Sequence, residues 1–264
     1  MKSWTKESVK RIPGAVTLYL YEGLARFWFQ IQVCKGVPWQ WMRHLVKPIF
    51  RLGKKQPNNF IVAVTVSTNY SDLLRICLDS NKGWFGKWIV VTDASDKKTR
   101  ETLAAYPEIV VLFWNPRKNG AIFDKGSAVR LGQEYAYLNY PNSWYLIIDS
   151  DIVLEGEPAA LLSLMPKLKP TTLYGAERWD FASLHELRQK TRSVRYGAPI
   201  PLHGYFQLYA IPYFYARSKD ASLCDIRFSA LFQKTVILDT IFCFHLGNES
   251  HWRGREENSQ DFIQ

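Results

Sequence analysis

Two aspartates stand inside an otherwise apolar run, Leu146-Ile-Ile-Asp-Ser-Asp-Ile-Val-Leu154. A carboxylate buried without a partner is strongly destabilising, so this placement calls for a compensating positive charge. Asp149 and Asp151 are two positions apart, and an extended backbone projects such residues to the same side. Paired hard oxygen ligands suit Mg²⁺ or Mn²⁺, with diphosphate oxygens completing an octahedron. A three-residue Asp-Ser-Asp motif is common by chance. One that ends a buried strand is much rarer, so the elements around it matter.

Those elements alternate. Phe60-Ile-Val-Ala-Val-Thr-Val-Ser67, Trp88-Ile-Val-Val-Thr92, Ile109-Val-Val-Leu-Phe113 and Trp144-Tyr-Leu-Ile-Ile148 are short β-branched, apolar runs of the kind buried on both faces of a sheet. Helical periodicity is predicted between them over Asn69–Asn81, Lys97–Tyr106 and Ile122–Leu138. This order predicts an α/β fold with a parallel sheet and right-handed crossovers. Ligands in such sheets bind beyond the carboxyl ends of the strands. The rule points at Thr65–Asn69, Asp93–Ser95, Asn115–Lys118 and Asp149–Asp151. The second half is less regular. Strands are predicted at Thr172–Ala176, Tyr205–Ala210 and Val236–Leu238, and helices at Ser183–Val194 and Ser222–Gln233.

The charge is unevenly placed. Residues 1–57 hold eleven Lys or Arg and two Glu, so nearly all of the net +10 lies in the first fifth of the chain. A nearly neutral body with a basic arm is not a general nucleic-acid binder, and nucleic acid is not an expected partner. Among the arm's cations stand Trp4, Phe27, Trp28, Phe29, Trp39 and Trp41. Cations with Trp and Phe suit a membrane interface, and equally a helical extension packed on the body or on another subunit. The apolar run Ala15–Cys34 contains Glu22 and Arg26, too interrupted for a membrane span. No cleavable leader is visible, and the four cysteines show no metal-ligand spacing. Both favour buried thiols in a reducing, cytoplasmic setting, with peripheral contact at the inner face of a membrane if the arm binds lipid. The division expected is an extension over 1–57 and a catalytic domain over 58–264, split into nucleotide-binding (58–154) and acceptor-side (155–264) halves.

Residues 60–154 resemble the nucleotide-binding half of the GT-A glycosyltransferases, in the broad family-2-like group. The resemblance implies a GT-A fold, a Rossmann-like nucleotide-binding mixed sheet flanked by helices. It implies transfer of a sugar from a nucleotide-sugar, with a UDP-sugar the family-level expectation, to a glycan or lipid-linked acceptor. The Asp149-Ser150-Asp151 triplet matches the family's metal-chelating motif. The end of the first strand, here Thr65, Ser67 and Thr68, would contact the base, and Asp93 in Val-Val-Thr-Asp the nucleoside. Phe123–Gly132 resembles the segment before the metal-binding strand. There Lys125 and Arg130 are candidates for phosphate or sugar contact, although a solvated helix face also fits them and the family often has Asn where Arg130 stands. His245 in His-Leu-Gly resembles a third metal ligand, which would favour Mn²⁺ somewhat over Mg²⁺. The guanidinium of Arg253, in Trp252-Arg-Gly-Arg255, suits a diphosphate leaving group.

Inverting transfer needs a carboxylate to take the acceptor hydroxyl proton. Ser222–Ser229 resembles the family's acidic motif and offers Asp225, with Cys224 where the family has Glu. An Asp in a first helical turn is also an ordinary cap, and both readings fit. Glu177 and Asp180 are rivals for the base. His203–Tyr209 resembles the strand closing over the transferred sugar, with Gly204 allowing close approach and Gln207 offering a hydrogen bond. A nucleotidyltransferase of similar fold is the alternative enzyme class. It needs a Gly-rich basic loop after the first strand, and Val66-Ser-Thr-Asn-Tyr-Ser71 has neither glycine nor lysine. A non-enzymatic membrane- or nucleic-acid-binding adaptor would use the arm but leave the aspartates unexplained.

Overall fold

The computed structural model describes residues 57–191, 193–195, 204–218, 220–221, 223–247 and 255. They fall within one compact unit, Lys55–Gln264. The basic arm lies outside the described residues, apart from its last, Pro57. Among the described residues no helix is long and apolar enough to cross a membrane.

The four predicted buried strands form β1 (Ile61–Val66), β2 (Lys87–Thr92), β3 (Val110–Phe113) and β4 (Trp144–Ile148). β1 pairs parallel with both β2 and β4, and β2 with β3. Helix α1 (Ser71–Asn81) and helix α2 (Lys97–Ala104) follow β1 and β2. They bury Leu74, Leu78 and Leu103 against Ile61, Ala63, Trp88 and Val90 on one face. Helix α3 (Lys125–Asn139) buries Val129, Ala136 and Tyr137 against Val62, Val64, Ile89 and Tyr145 on the other. The alternation of side chains along β1 therefore feeds two cores. Gly132 lets α3 lie close, because a Cβ there would stand 2.4 Å from Val64 Cγ1. The helix begins at Lys125 rather than Ile122, since the Asp124 carboxylate caps it by accepting from the Ser127 N–H at 2.9 Å.

The chain runs outward from β1 to β3, then returns to place β4 on the other side of β1. That reversal creates a switch point between β1 and β4, where α/β sheets open a crevice for ligands. Beyond it the sheet is mixed. β5 (Ile152–Glu155), β6 (Thr172–Phe181), β7 (Val194–Arg195), β8 (Phe206–Tyr209) and β9 (Lys234–Leu246) complete nine strands in the order β3-β2-β1-β4-β8-β6-β9-β5, with β7 on β6. β8 runs antiparallel to β4, and β5 antiparallel to β9.

Several elements differ from the sequence expectation. Helix α4 (Pro158–Leu164) and strand β5 carry no prediction. Instead of continuing β4, the chain turns at the aspartates and β5 crosses to β9. β6 runs on through Glu177–Asp180 and β9 through Phe242–Leu246, where the two strands stay paired in register and Asp180 stands opposite His245. Helix α5 (Leu184–Gln189) ends early at Lys190, which is left-handed at φ 52°. Helix α6 (Cys224–Ser229) is likewise short. Cys77, Cys224 and Cys243 are free and buried, and burial raises all three thiols, Cys224 to about 12.

Candidate active site

Asp149 leaves the end of β4 and Asp151 precedes β5, so both sit in the turn at the switch point. Asp149 accepts from Lys125 Nζ at 2.5 Å. Lys125 is the first residue of α3, and the Asp124 cap fixes where that turn begins. Burial pushes the Asp149 carboxyl up; Lys125 opposes this and Asp151 adds to it. Burial pulls Lys125 down, but Asp149, with Cys224 and Asp225 behind it, outweighs burial, and the ammonium ends above its usual range. The pair is an ammonium held on a carboxylate whose burial favours the neutral form and whose partner opposes it.

Asp151 faces the other way. Its Oδ2 lies 3.5 Å from His245 Nε2. Strand β9 places the imidazole there, since His245 is in register with Asp180 on β6 and with Ile152 on β5. On its far side His245 Nδ1 stands 3.0 Å from Asp180 Oδ1, and Arg178 Nε reaches the same oxygen at 2.7 Å. Arg178 Nη2 also comes within 3.0 Å of Nδ1. Burial pulls the imidazole down, yet Asp151 and Asp180 raise it to about 9, so it is charged at neutral pH and donates to Asp180. Burial raises Asp151, but His245 and Arg178 outweigh it and hold the carboxyl below its usual range.

The donor set fits a divalent cation. Asp151 Oδ1 is buried with no hydrogen-bond partner, an anionic oxygen aimed at nothing that can satisfy it. Asp180 on Nδ1 leaves Nε2 as the nitrogen facing Asp151, the arrangement in which a carboxylate orients an imidazole toward a metal. Among the described residues no three His, Cys, Asp or Glu side chains are already gathered around one point. Asp149 is paired with Lys125, while Asp151 and His245, two of the three expected ligands, face each other.

Asp225 joins this cluster from α6. Its Oδ2 accepts from the Gly204 N–H at 2.7 Å and its Oδ1 from the Ile226 N–H at 2.8 Å. A Cβ on Gly204 would stand 3.3 Å from Lys125 Nζ and 3.4 Å from Asp225 Oδ2. Glycine there therefore admits Lys125 and Asp225 to one spot, beside the start of β8. Asp180, a rival for the base, is spent on His245 and Arg178.

Other expected contacts are placed differently. Thr65 is fully buried, and its hydroxyl accepts from the Trp88 indole at 2.9 Å, because strand alternation turns it into the core. Gln207 is fully buried too; its Oε1 accepts from the Tyr215 hydroxyl and its Nε2 points at the Asp225 carbonyl, so it braces α6 rather than a sugar. Arg130 pairs with Glu134 at 2.9 Å and lies over the Phe214 ring. Five positions past Lys125, it is turned about 140° around the helix. Ser67, Thr68 and Ser150 are buried just beyond the ends of β1 and β4, and the Ser67 hydroxyl has no hydrogen-bond partner. Asp93 is half-buried at the end of β2, with Oδ1 accepting from Ser95. Arg253, His203 and Trp252 lie outside the described residues.

Arg178 and Tyr70 stand beside the site's carboxylates without having been singled out in the sequence, and Arg255, one of the two guanidinium groups of Trp252-Arg-Gly-Arg255, has protein partners of its own. Arg255 donates to both Asp72 oxygens, at 2.9 and 3.1 Å, and covers the Tyr70 ring. Burial, then the charge of Asp151, pushes the Tyr70 hydroxyl far up. The alternation of Arg178 and Asp180 along one strand face was the available signal for Arg178.

No family model and no curated protein matches the chain. Among solved structures it is similar to GalNAc-T7 with UDP, GalNAc and Mn²⁺, at 14% identity and TM-score 0.50, over 76% of this chain and 46% of that one. The chain thus spans less than half of GalNAc-T7. It is also similar to Mycobacterium tuberculosis glucosyl-3-phosphoglycerate synthase with Mn²⁺, UDP and glucosyl-3-phosphoglycerate, at 15% identity and TM-score 0.44, over 72% of this chain and 73% of that one. A Methanothermobacter nucleotidyl transferase matches more distantly, at 14% identity and TM-score 0.34, over 46% of this chain and 66% of that one. The fold of this chain is that of the GT-A glycosyltransferases, in keeping with the strand reversal beside Asp149.

Proposed function

We propose that the chain transfers a sugar from a nucleoside diphosphate carrier, a UDP-sugar, to an acceptor hydroxyl. The observation that carries this reading is the meeting of Asp149, Asp151, His245, Lys125 and Asp225 at the switch point of a GT-A sheet. Asp149, Asp151 and His245 would hold Mn²⁺ or Mg²⁺, which when bound neutralises charge developing on the diphosphate. Lys125 adds a fixed ammonium for the same charge, already desolvated and therefore needing no reorganisation. Asp180 orients His245, and Arg178 holds Asp180. Ser67, Thr68 and Asp93, just beyond the ends of β1 and β2, would meet the nucleoside, with Ser150 beneath the diphosphate and Arg253 assisting it.

Asp225 is the base. Its two oxygens are positioned by the Gly204 and Ile226 N–H groups, and each keeps a lone pair for the acceptor proton. Attack by an acceptor activated in this way inverts the anomeric centre. The acceptor is a glycan or lipid-linked hydroxyl, and residues 1–57 supply peripheral contact with an anionic membrane face.

The test is a panel of nucleotide-sugars with and without Mn²⁺, read by thermal shift and by release of free nucleotide. Stabilisation by UDP or a UDP-sugar that needs metal is expected. No response to any nucleotide-sugar or nucleoside diphosphate would overturn the proposal. A product of retained configuration would overturn the role of Asp225.

A further inference from the structure

A cleft of about 660 Å³ opens beside the cluster, and none of the residues assigned above to donor or metal lines it. Three cations do: Lys118 from the turn after β3, Arg217 from the loop before α6, and Arg227 from α6 itself. All three are exposed, and none has an ion-pair partner among the described residues. The acidic residues of the lining are Asp124 and Asp220. Asp124 is committed, its Oδ1 accepting from the N–H groups of Ser127 at 2.9 Å and Ser218 at 3.0 Å. Asp220 also has an interaction of its own. The cations therefore outnumber the carboxylates and are free to meet an incoming anion.

The cleft is joined to the chemistry through its own walls. Asp124 immediately precedes Lys125, and Cys224 immediately precedes Asp225. Trp114 and Leu223 add apolar surface. A flat ring beside unpaired guanidinium groups suits a small polyol or sugar carrying an oxyanion.

We infer that this cleft is the acceptor subsite and that it recognises a phosphate group on the acceptor. The inference rests on the glycosyltransferase reading for the word acceptor, and on the cleft alone for the phosphate. Arg217 and Arg227 bind the phosphate oxygens, Lys118 adds charge, and Trp114 carries the apolar face of the acceptor. The acceptor hydroxyl is thereby directed toward Asp225.

The test uses the full chain and the Arg217→Gln/Arg227→Gln double variant, whose changed side chains are exposed. Circular dichroism first establishes that the two have the same fold. Calorimetric titration with inorganic phosphate and with glucose 6-phosphate forms the soluble arm. Co-sedimentation with phosphatidic acid vesicles, against phosphatidylcholine vesicles, forms the lipid arm. Each titration is run with and without saturating UDP and Mg²⁺. The double variant is expected to bind about tenfold more weakly in at least one arm, with UDP bound as without it. The arm that responds says whether the phosphate belongs to a soluble acceptor or to a lipid head group. Equal binding by both proteins in both arms, or displacement of phosphate by UDP, would overturn the inference. Failure of UDP to bind either protein, with the phosphate difference intact, would strike the transferase reading and leave the anion site standing.

Discussion

Lys125 donates to Asp149 Oδ1 at 2.5 Å, while Asp151, two residues on, faces His245 instead. The two aspartates of one turn are thus held by two different cations from two different elements, the start of α3 and the end of β9. Each carboxylate has a local counter-charge, which is how two acids tolerate burial at one strand end.

Lys125→Met removes the ammonium beside Asp149. Turnover is expected to fall about a hundredfold, the loss typical of one preorganised charge at a developing oxyanion. UDP binding in the presence of Mn²⁺ should change only slightly. Steady-state nucleotide release and a UDP titration separate the two effects, and wild-type turnover would exclude Lys125 from the chemistry.

The His245 imidazole is raised to about 9, above the free-histidine value of 6.5. Its stabilising interaction with Asp151 and Asp180 is therefore complete below about pH 6.5 and lost as pH rises through about 9. In chelator, wild type should lose on the order of 3 kcal/mol relative to His245→Asn across that window. Urea unfolding at several pH values checks it. If His245 is a ligand as proposed, Mn²⁺ would require the neutral ring, and its affinity should rise over the same window with release of about one proton. That release is read by calorimetry in buffers of different ionisation enthalpy.

Asp225→Asn keeps one acceptor oxygen for the Gly204 or Ile226 N–H and removes the proposed base. A fall in kcat of about 10²- to 10⁴-fold is expected, with UDP affinity unchanged. Turnover within threefold of wild type, together with a lowered melting temperature, would make Asp225 a helix cap and nothing more.

Gly132→Ala tests the fold independently of the chemistry. The new methyl would stand 2.4 Å from Val64 Cγ1 and 3.3 Å from Val91 Cγ2, so α3 must lift from the sheet. A loss of about 1–3 kcal/mol is expected, seen as a lower urea midpoint at unchanged slope.

The half of the sheet from β1 to β4 was legible because its signals are local. β-branched apolar runs mark β1 to β4, and an acidic pair just after the last of them marks the candidate site. The second half was less legible because its strands carry charge. Glu177, Arg178 and Asp180 look like a strand end when read along the chain, and Arg178 and Asp180 become half-buried partners of His245 only when β9 lies alongside. Thr65 and Gln207 have the right residue types for ligand contact, but strand alternation and the packing of Tyr215 turn them inward.

Residue chemistry read along the chain was enough for an α/β sheet, a carboxylate pair at its crevice, and a small set of basic and acidic candidates. Which carboxylate pairs with which cation was settled by strand register and helix placement. His245 reaches Asp151 across 94 residues because β9 is hydrogen-bonded between β6 and β5. Lys125 reaches Asp149 because Asp124 starts α3 at that turn. Charges separated along the chain acquire a shared site only through contacts that a linear pattern does not contain.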